Sequence, residues 1–230
     1  MPGKKSGRLR KPAPRRKAAK PPAGARPYHH GDLRENLIAA TEALILERGV
    51  DGFSLREVAR RAGVSPAAPA HHFGDTKGLL SDVARLGFKD FGDALLEADR
   101  RGGNDPAKRL DEQGIAYVTF ALKNPARFAL MFRHDKYDAT NEALHVVADR
   151  AFNALEGAIR AVQGLAPTDE MTEDAYGLLL ATWSIVHGFA HLALGGELDD
   201  AARTRGGKDA ILKSFLPLAL KHLPIPSPRK

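Results

Sequence analysis

Between Phe53 and Phe73 the chain carries two helix starts eleven residues apart with a glycine between them, which restricts this stretch to two short helices meeting at a tight turn. Ser54 and Glu57 have capping-box spacing, in which the serine oxygen accepts from the N3 amide and the glutamate reaches back to the cap amide. Phe53 and Val58 flank that box as a hydrophobic staple. The first helix would bury Val58, Ala59 and Ala62 and stop at Gly63, a residue free to take left-handed backbone, with Val64 plugging the turn. Ser65 reads as a second N-cap and Pro66 as a first-turn proline, so the second helix would present an uncapped positive end rimmed by His71 and His72. A helix-turn-helix that binds DNA is one reading of this pattern; a well-capped helical hairpin inside any all-α domain is the other.

Upstream, Asp32 and Glu35 form another cap-like pair, followed by Leu33, Leu37, Ile38, Thr41, Leu44 and Ile45 on one helical face and a stop at Gly49. Three short helices therefore fit in fewer than fifty residues. The stretch from Tyr28 to about Leu80, with His-His-Gly-Asp-Leu-Arg-Glu, Ser-Leu-Arg-Glu-Val-Ala-Arg-Arg-Ala-Gly-Val-Ser and His-His-Phe-Gly-Asp-Thr-Lys-Gly-Leu-Leu, resembles the TetR family of transcriptional regulators. The resemblance implies an all-α homodimer, with a three-helix N-terminal DNA-binding domain followed by a helical domain that dimerises and takes a small-molecule inducer. Residues 1–27 are then a disordered basic arm, 28–78 the helix-turn-helix domain, 79–223 the ligand-binding and dimerisation domain, and 224–230 a C-terminal tail.

Carried over by position, the resemblance puts Ser54 and Arg56 against phosphates at the start of the supporting helix. It turns Ser65, Pro66, Ala67 and Ala68 towards base edges and places His71 and Lys77 near the backbone; His71 and its neighbour His72 either meet phosphates there or cover the hairpin seam. The family commonly has leucine and tyrosine before this histidine; here Pro69 and Ala70 stand there, so the tyrosine contact to phosphate is missing. Pro69 would also remove a bond to the Ser65 carbonyl, which makes the recognition helix short and bent. Without arginine, asparagine or glutamine on this face, readout would rest on methyl-sized contacts to thymine and on DNA shape.

Ten of the 35 Lys and Arg precede Tyr28 with no acid among them, leaving 25 against 28 Asp and Glu, a net of −3, for the remainder. The excess positive charge is thus confined to a segment whose residues 1–26 also hold five prolines and three glycines, too few apolar groups to repay ordering. Such an arm lies along phosphates or in a minor groove, or it is merely a solvated tail. The absence of cysteine excludes disulfides and thiolate zinc sites. No uninterrupted apolar run reaches roughly 18 residues and the start lacks an apolar signal core, so a cytoplasmic protein with no membrane partner is expected.

Beyond the first domain the pattern stays helical. Asp105-Pro106 opens a helix with Leu110, Gln113, Tyr117, Phe120 and Ala121 inward, and Asn124-Pro125 a short one with Phe128, Met131 and Phe132. Thr140 or Asn141 starts a longer one ended by Gly164, and Thr168 caps a helix through Tyr176, Trp183 and His187 to Gly195-Gly196. That helix is apolar nearly all round, so it is buried on more than one side. Gly195 to Gly207 reads as a loop, and a final segment with Ile211, Leu212, Phe215 and Leu218 is kinked or ended by Pro217. The resemblance places the dimer interface on these last two helices, as a four-helix bundle.

No nucleophile elbow, P-loop, dinucleotide fingerprint or His-Glu-x-x-His occurs, so no enzyme and no cofactor is indicated. His187 and His191, four apart, have a spacing that can hold a metal, but two imidazoles leave a tetrahedral ion half liganded, so no metal is assigned and a helical metalloenzyme stays a remote alternative. Trp183 to Gly188 resembles the Trp…His-Gly signature of one TetR subgroup. Tyr117, Phe120, Phe128, Phe132, Trp183 and His187 are either the lining of an inducer cavity or core packing. Ligand-released repression is one function class; an architectural DNA-binding protein without an inducer is the other.

Overall fold

The computed structural model describes the backbone of residues 30–222 and the side chains of residues 33–222. The expected basic arm and C-terminal tail lie outside the described residues. Among the described residues there are ten helices and no strand, so the fold is all-α. The N-terminal module is α1 (His30–Arg48), α2 (Leu55–Ala62) and α3 (Ala68–Phe73). Leu37, Ile38, Thr41, Leu44 and Ile45 are buried along one face of α1, with the Thr41 hydroxyl donating to the Leu37 carbonyl at 2.8 Å. The capping box of α2 is complete, and Gly63 ends the helix at φ 69°, where a Cβ would be strained.

The third helix starts later than its sequence suggests. Ala67, not Ser65, is the N-cap of α3 and makes no side-chain cap bond; Ser65 to Ala68 is a turn closed by Ala68 N–H donating to the Ser65 carbonyl at 3.0 Å. This start puts Pro69 in the first turn, where its missing N–H is no loss, instead of in the interior where its ring would crowd a helical carbonyl. The result is a six-residue helix with His71 and His72 in its last turn, not at its positive end.

From here the chain runs through α4 (Thr76–Gly102), α5 (Pro106–Lys123), α6 (Pro125–Met131), α7 (Glu142–Gln163), α8 (Glu173–Gly195), α9 (Asp199–Thr204) and α10 (Lys208–Lys221). The caps Asp105 and Asn141 stand where the sequence puts them. Thr172, not Thr168, caps α8, because Asp169 instead closes the preceding turn on the Ala166 amide at 2.7 Å. The expected loop after Gly195 contains α9, and α10 continues through Pro217 to Lys221.

Polar residues interrupt the apolar run of α8, yet the helix is long and apolar enough to cross a membrane by length and composition. In this fold its inner face, with Leu178, Leu179, Thr182, Val186, Ala190 and Ala193, is buried, whereas Tyr176, Leu180 and Leu192 stay exposed. Leu218 of α10 is exposed too.

The first helices and the C-terminal bundle share one core, a cluster of buried side chains running from Leu37 to Leu220. The 27 residues of α4 cross the 78/79 boundary without a break. At Gly87 this helix lies so close to α6 that a Cβ would fall 2.8 Å from Met131 Sδ, so glycine is what permits the approach.

Candidate nucleic-acid interface and ligand cavity

Ser54, Arg56, Ser65, Pro66, Ala67, His71 and Lys77 are exposed, and Ala68 and His72 are half-buried. The Ser54 hydroxyl is already used, facing Glu57 on both sides of the capping box. Arg34, Arg48 and Arg61 are committed to Asp82, Glu57 and Glu47 respectively, which ties α1 to α2 and to α4. Arg34 also lies over the Phe73 ring, 5.6 Å from its centroid, fixing the end of α3. Arg56 and Lys77 have no carboxylate within ion-pair distance among the described residues, and neither has Arg60, one turn beyond Arg56 on the same face of α2. Arg60 went unnoticed in the sequence, although its i, i+4 relation to Arg56 was there to read.

Pro66 and Ala67 stand on the turn before α3, while buried Pro69 roots that turn in the module. Lys77 is in the first turn of α4, whose N-cap Asp75 accepts from the Gly78 amide at 2.7 Å.

The second site is a cavity of about 240 Å³ between α4, α5, α7 and α8, lined also by Phe132 and His134 from the segment after α6. Of the six side chains singled out from sequence, Tyr117, Phe132 and Trp183 line it. Phe120 is core, 5.1 Å from Phe91 between ring centroids, and Phe128 is packed against Phe132 at 5.3 Å. His187 stands behind Tyr117. Phe88, Phe91 and Leu95 of α4 and Ala148, Asp149, Ala151, Phe152 and Leu155 of α7 make up the rest of the wall. The sequence reading singled out no side chain of these two stretches; the aromatic spacing of Phe88 and Phe91 was the available signal.

A chain of hydrogen bonds runs along the cavity wall. Trp183 Nε1 donates to the Tyr117 hydroxyl at 3.3 Å, Tyr117 Oη lies 2.8 Å from His187 Nδ1, and His187 Nε2 lies 3.2 Å from His191 Nε2. Burial pushes the Tyr117 hydroxyl well above the ordinary phenol range, and burial followed by the neighbouring His191 holds His187 below the usual imidazole value. Among the described residues no third His, Asp, Glu or Cys joins the histidine pair to complete a metal-binding group.

The cavity and the N-terminal module are joined through α6 and the segment after it. Arg127 of α6 pairs with Glu42 of α1 and Asp90 of α4, each at 2.6 Å. Arg133, next to the cavity-lining Phe132, reaches Asp51 in the turn between α1 and α2 at 3.3 Å, and Lys136 pairs with the same carboxylate.

Known proteins share both halves of this arrangement. The profile of bacterial regulatory proteins of the tetR family matches residues 37–83, and that of the tetracyclin repressor-like C-terminal domain matches residues 110–213. Transcriptional regulators named BetI from Stenotrophomonas maltophilia (35% identical over 77 residues) and Yersinia pestis (37% over 78) match 34% of this chain. The chain spans 39% of the length of these curated relatives. A solved structure of a protein of unknown function from Rhodococcus sp. RHA1 is 32% identical, with a TM-score of 0.67 over 86% of this chain and 98% of that one. The fold is also that of the TetR family regulator PfmR from Thermus thermophilus, at TM-score 0.62 and 20% identity over 82% of this chain and 95% of that one. With the helix-turn-helix, the C-terminal bundle and both family profiles in agreement, the chain belongs to the TetR family of transcriptional regulators.

Proposed function

We propose that this protein is a homodimeric repressor that reads a palindromic operator and releases it when a small, largely apolar ligand enters the cavity beside Trp183. One observation carries the reading: Phe88, Phe91 and Leu95 of the cavity wall belong to α4, the same helix whose first turn bears Lys77. A ligand that favours one spacing of α4 from α5 and α7 therefore favours one placement of the DNA-reading helices, which is all that release requires. The Arg127 and Arg133 ion pairs give α6 and the segment after it a second hold on the module.

In this reading Arg56, Arg60, His71 and Lys77 meet phosphates, with Ser54 and His72 beside them, and Ser65, Pro66, Ala67 and Ala68 approach base edges. Exposed Tyr176, Leu180 and Leu192 of α8 and Leu218 of α10 support a dimer, since large apolar side chains on packed helices are costly to leave in water. The basic arm adds sequence-independent attraction to DNA. The protein performs no catalytic step and acts in the cytoplasm.

Selection from a randomised duplex pool, followed by sedimentation of the complex, tests this. Two protomers should bind one palindrome whose half-sites lie roughly 34–36 Å apart, about one helical turn. Sequence-blind binding by a monomer would instead favour an architectural protein.

A further inference from the structure

We infer that the ligand carries a neutral hydroxyl, held between Gln113 and Thr182 at a small recess beyond the aromatic cavity. This rests on the ligand-cavity reading above and names the chemistry of its far end.

The recess has a volume of about 20 Å³, and its walls include Gln113, Thr182, Leu95, Leu110, Leu155 and Val186. Leu95 and Leu155 also line the 240 Å³ cavity, so these two side chains form the partition between the spaces. Gln113 is 2% exposed and Thr182 1%, yet Gln113 Oε1 and Thr182 Oγ1 have no hydrogen-bond partner. Buried polar atoms are rarely left unmet, and two on residues that line one small space point to a group that belongs there.

The orientation of Gln113 is fixed by its neighbours. Its Nε2 donates to Asp99 Oδ1 at 2.9 Å and to the Ala154 carbonyl at 3.0 Å, which uses both amide protons. A flipped carboxamide would set its oxygen against two acceptors, so Oε1 is the atom left without a partner. Thr182 sits mid-helix and does not bond back to its own helix. The recess thus offers one acceptor and one hydroxyl able to donate.

A ligand hydroxyl matches both, donating to Gln113 Oε1 and accepting from Thr182. A carbonyl or ether leaves the glutamine oxygen unmet, and a carboxylate is repelled by it. An ammonium finds no free counter-charge, because the nearby Asp99 is already held by Arg109 through two bonds of 2.9 and 2.8 Å. By size, the recess admits one water-sized group, and the larger cavity exceeds the ~150 Å³ apolar cavity that takes benzene. The geometry fits an aryl or alkyl body in the aromatic cavity with a slender arm passing between Leu95 and Leu155.

The probes are 3-phenyl-1-propanol, n-propylbenzene and 3-phenylpropanoate, titrated into the full chain by equilibrium dialysis with Trp183 fluorescence in parallel. The alcohol should bind about tenfold more tightly than the hydrocarbon, about 1.4 kcal/mol, and the carboxylate more weakly than either. Thr182→Val, which replaces the hydroxyl by a methyl at nearly constant shape, should remove at least fivefold of that preference. Thr182→Ser, which keeps the hydroxyl, should retain it. Equal binding of alcohol and hydrocarbon, or a preference that survives Thr182→Val, overturns the recess and leaves the cavity standing. If neither neutral probe binds, the cavity reading fails and the recess with it.

Discussion

The Tyr117 hydroxyl on α5 is hydrogen-bonded to Nδ1 of His187 on α8, across 2.8 Å. Trp183, whose indole N–H can only donate, gives its proton to the same phenolic oxygen, which leaves the phenolic proton free to go to Nδ1. With the phenolic proton placed there, His187 carries its own proton on Nε2, towards His191. Protonating His187 on Nδ1 would break this chain at its centre, beside the cavity.

Because burial and His191 hold the His187 pKa below 6.5, the folded protein binds fewer protons there than the unfolded chain as the pH falls through that range. Its contribution to stability is complete above pH ~6.5 and is lost as pH drops through the lower folded value. Thermal melts from pH 7.5 to 5 should show a shallower loss of Tm for His187→Gln than for the unaltered protein. Parallel curves would show that His187 does not titrate with unfolding.

The α2 cap and its terminal glycine are each predicted to matter for stability. Ser54→Ala removes one half of the capping box and should cost about 1 kcal/mol. Gly63→Ala imposes a Cβ at φ 69° and should cost roughly 1–2 kcal/mol. Denaturant melts in which both variants matched the parent would contradict the local account of this turn.

The outline of the fold was legible because its punctuation is local. Ser54, Gly63, Asp105, Asn141 and Gly164 each act within four residues of themselves, and the helices begin and end there. The failures came where a distant or competing group decided. Pro69 forced the start of α3 past Ser65, and Asp169 took the turn that Thr168 seemed to cap. The cavity was half legible: Tyr117, Phe132 and Trp183 line it, but Phe120 and Phe128 share the same helical signal and face other aromatics. Helical periodicity tells which face is inward, not whether that face meets a void or a neighbour.

Gly87→Ala should separate α4 from α6 at their closest point. The added methyl would lie 2.8 Å from Met131 Sδ and 3.2 Å from Arg127 Cβ, a level of overpacking that costs about 1–3 kcal/mol. The same displacement should shift operator affinity, read by fluorescence anisotropy. A variant with lowered Tm and unchanged affinity would show that α6 does not position the DNA-reading helices.

Substitutions on the exposed cations should weaken binding to all duplexes alike. Lys77→Ala or Arg60→Ala should each reduce the magnitude of the log–log salt slope by about 0.9 per lost phosphate contact. Bulky residues at Ala67 should change sequence preference instead. A Lys77→Ala protein with the parent's affinity and slope would remove that lysine from the interface.

The coupling between cavity and operator is measured most directly by titrating 3-phenyl-1-propanol into the free protein and into its operator complex, with the operator affinity determined at zero and saturating alcohol. The account predicts that the alcohol weakens operator binding, and that the alcohol itself binds the DNA complex more weakly by the same factor, since coupling is reciprocal. Binding of the alcohol with identical affinity to free and DNA-bound protein would contradict it.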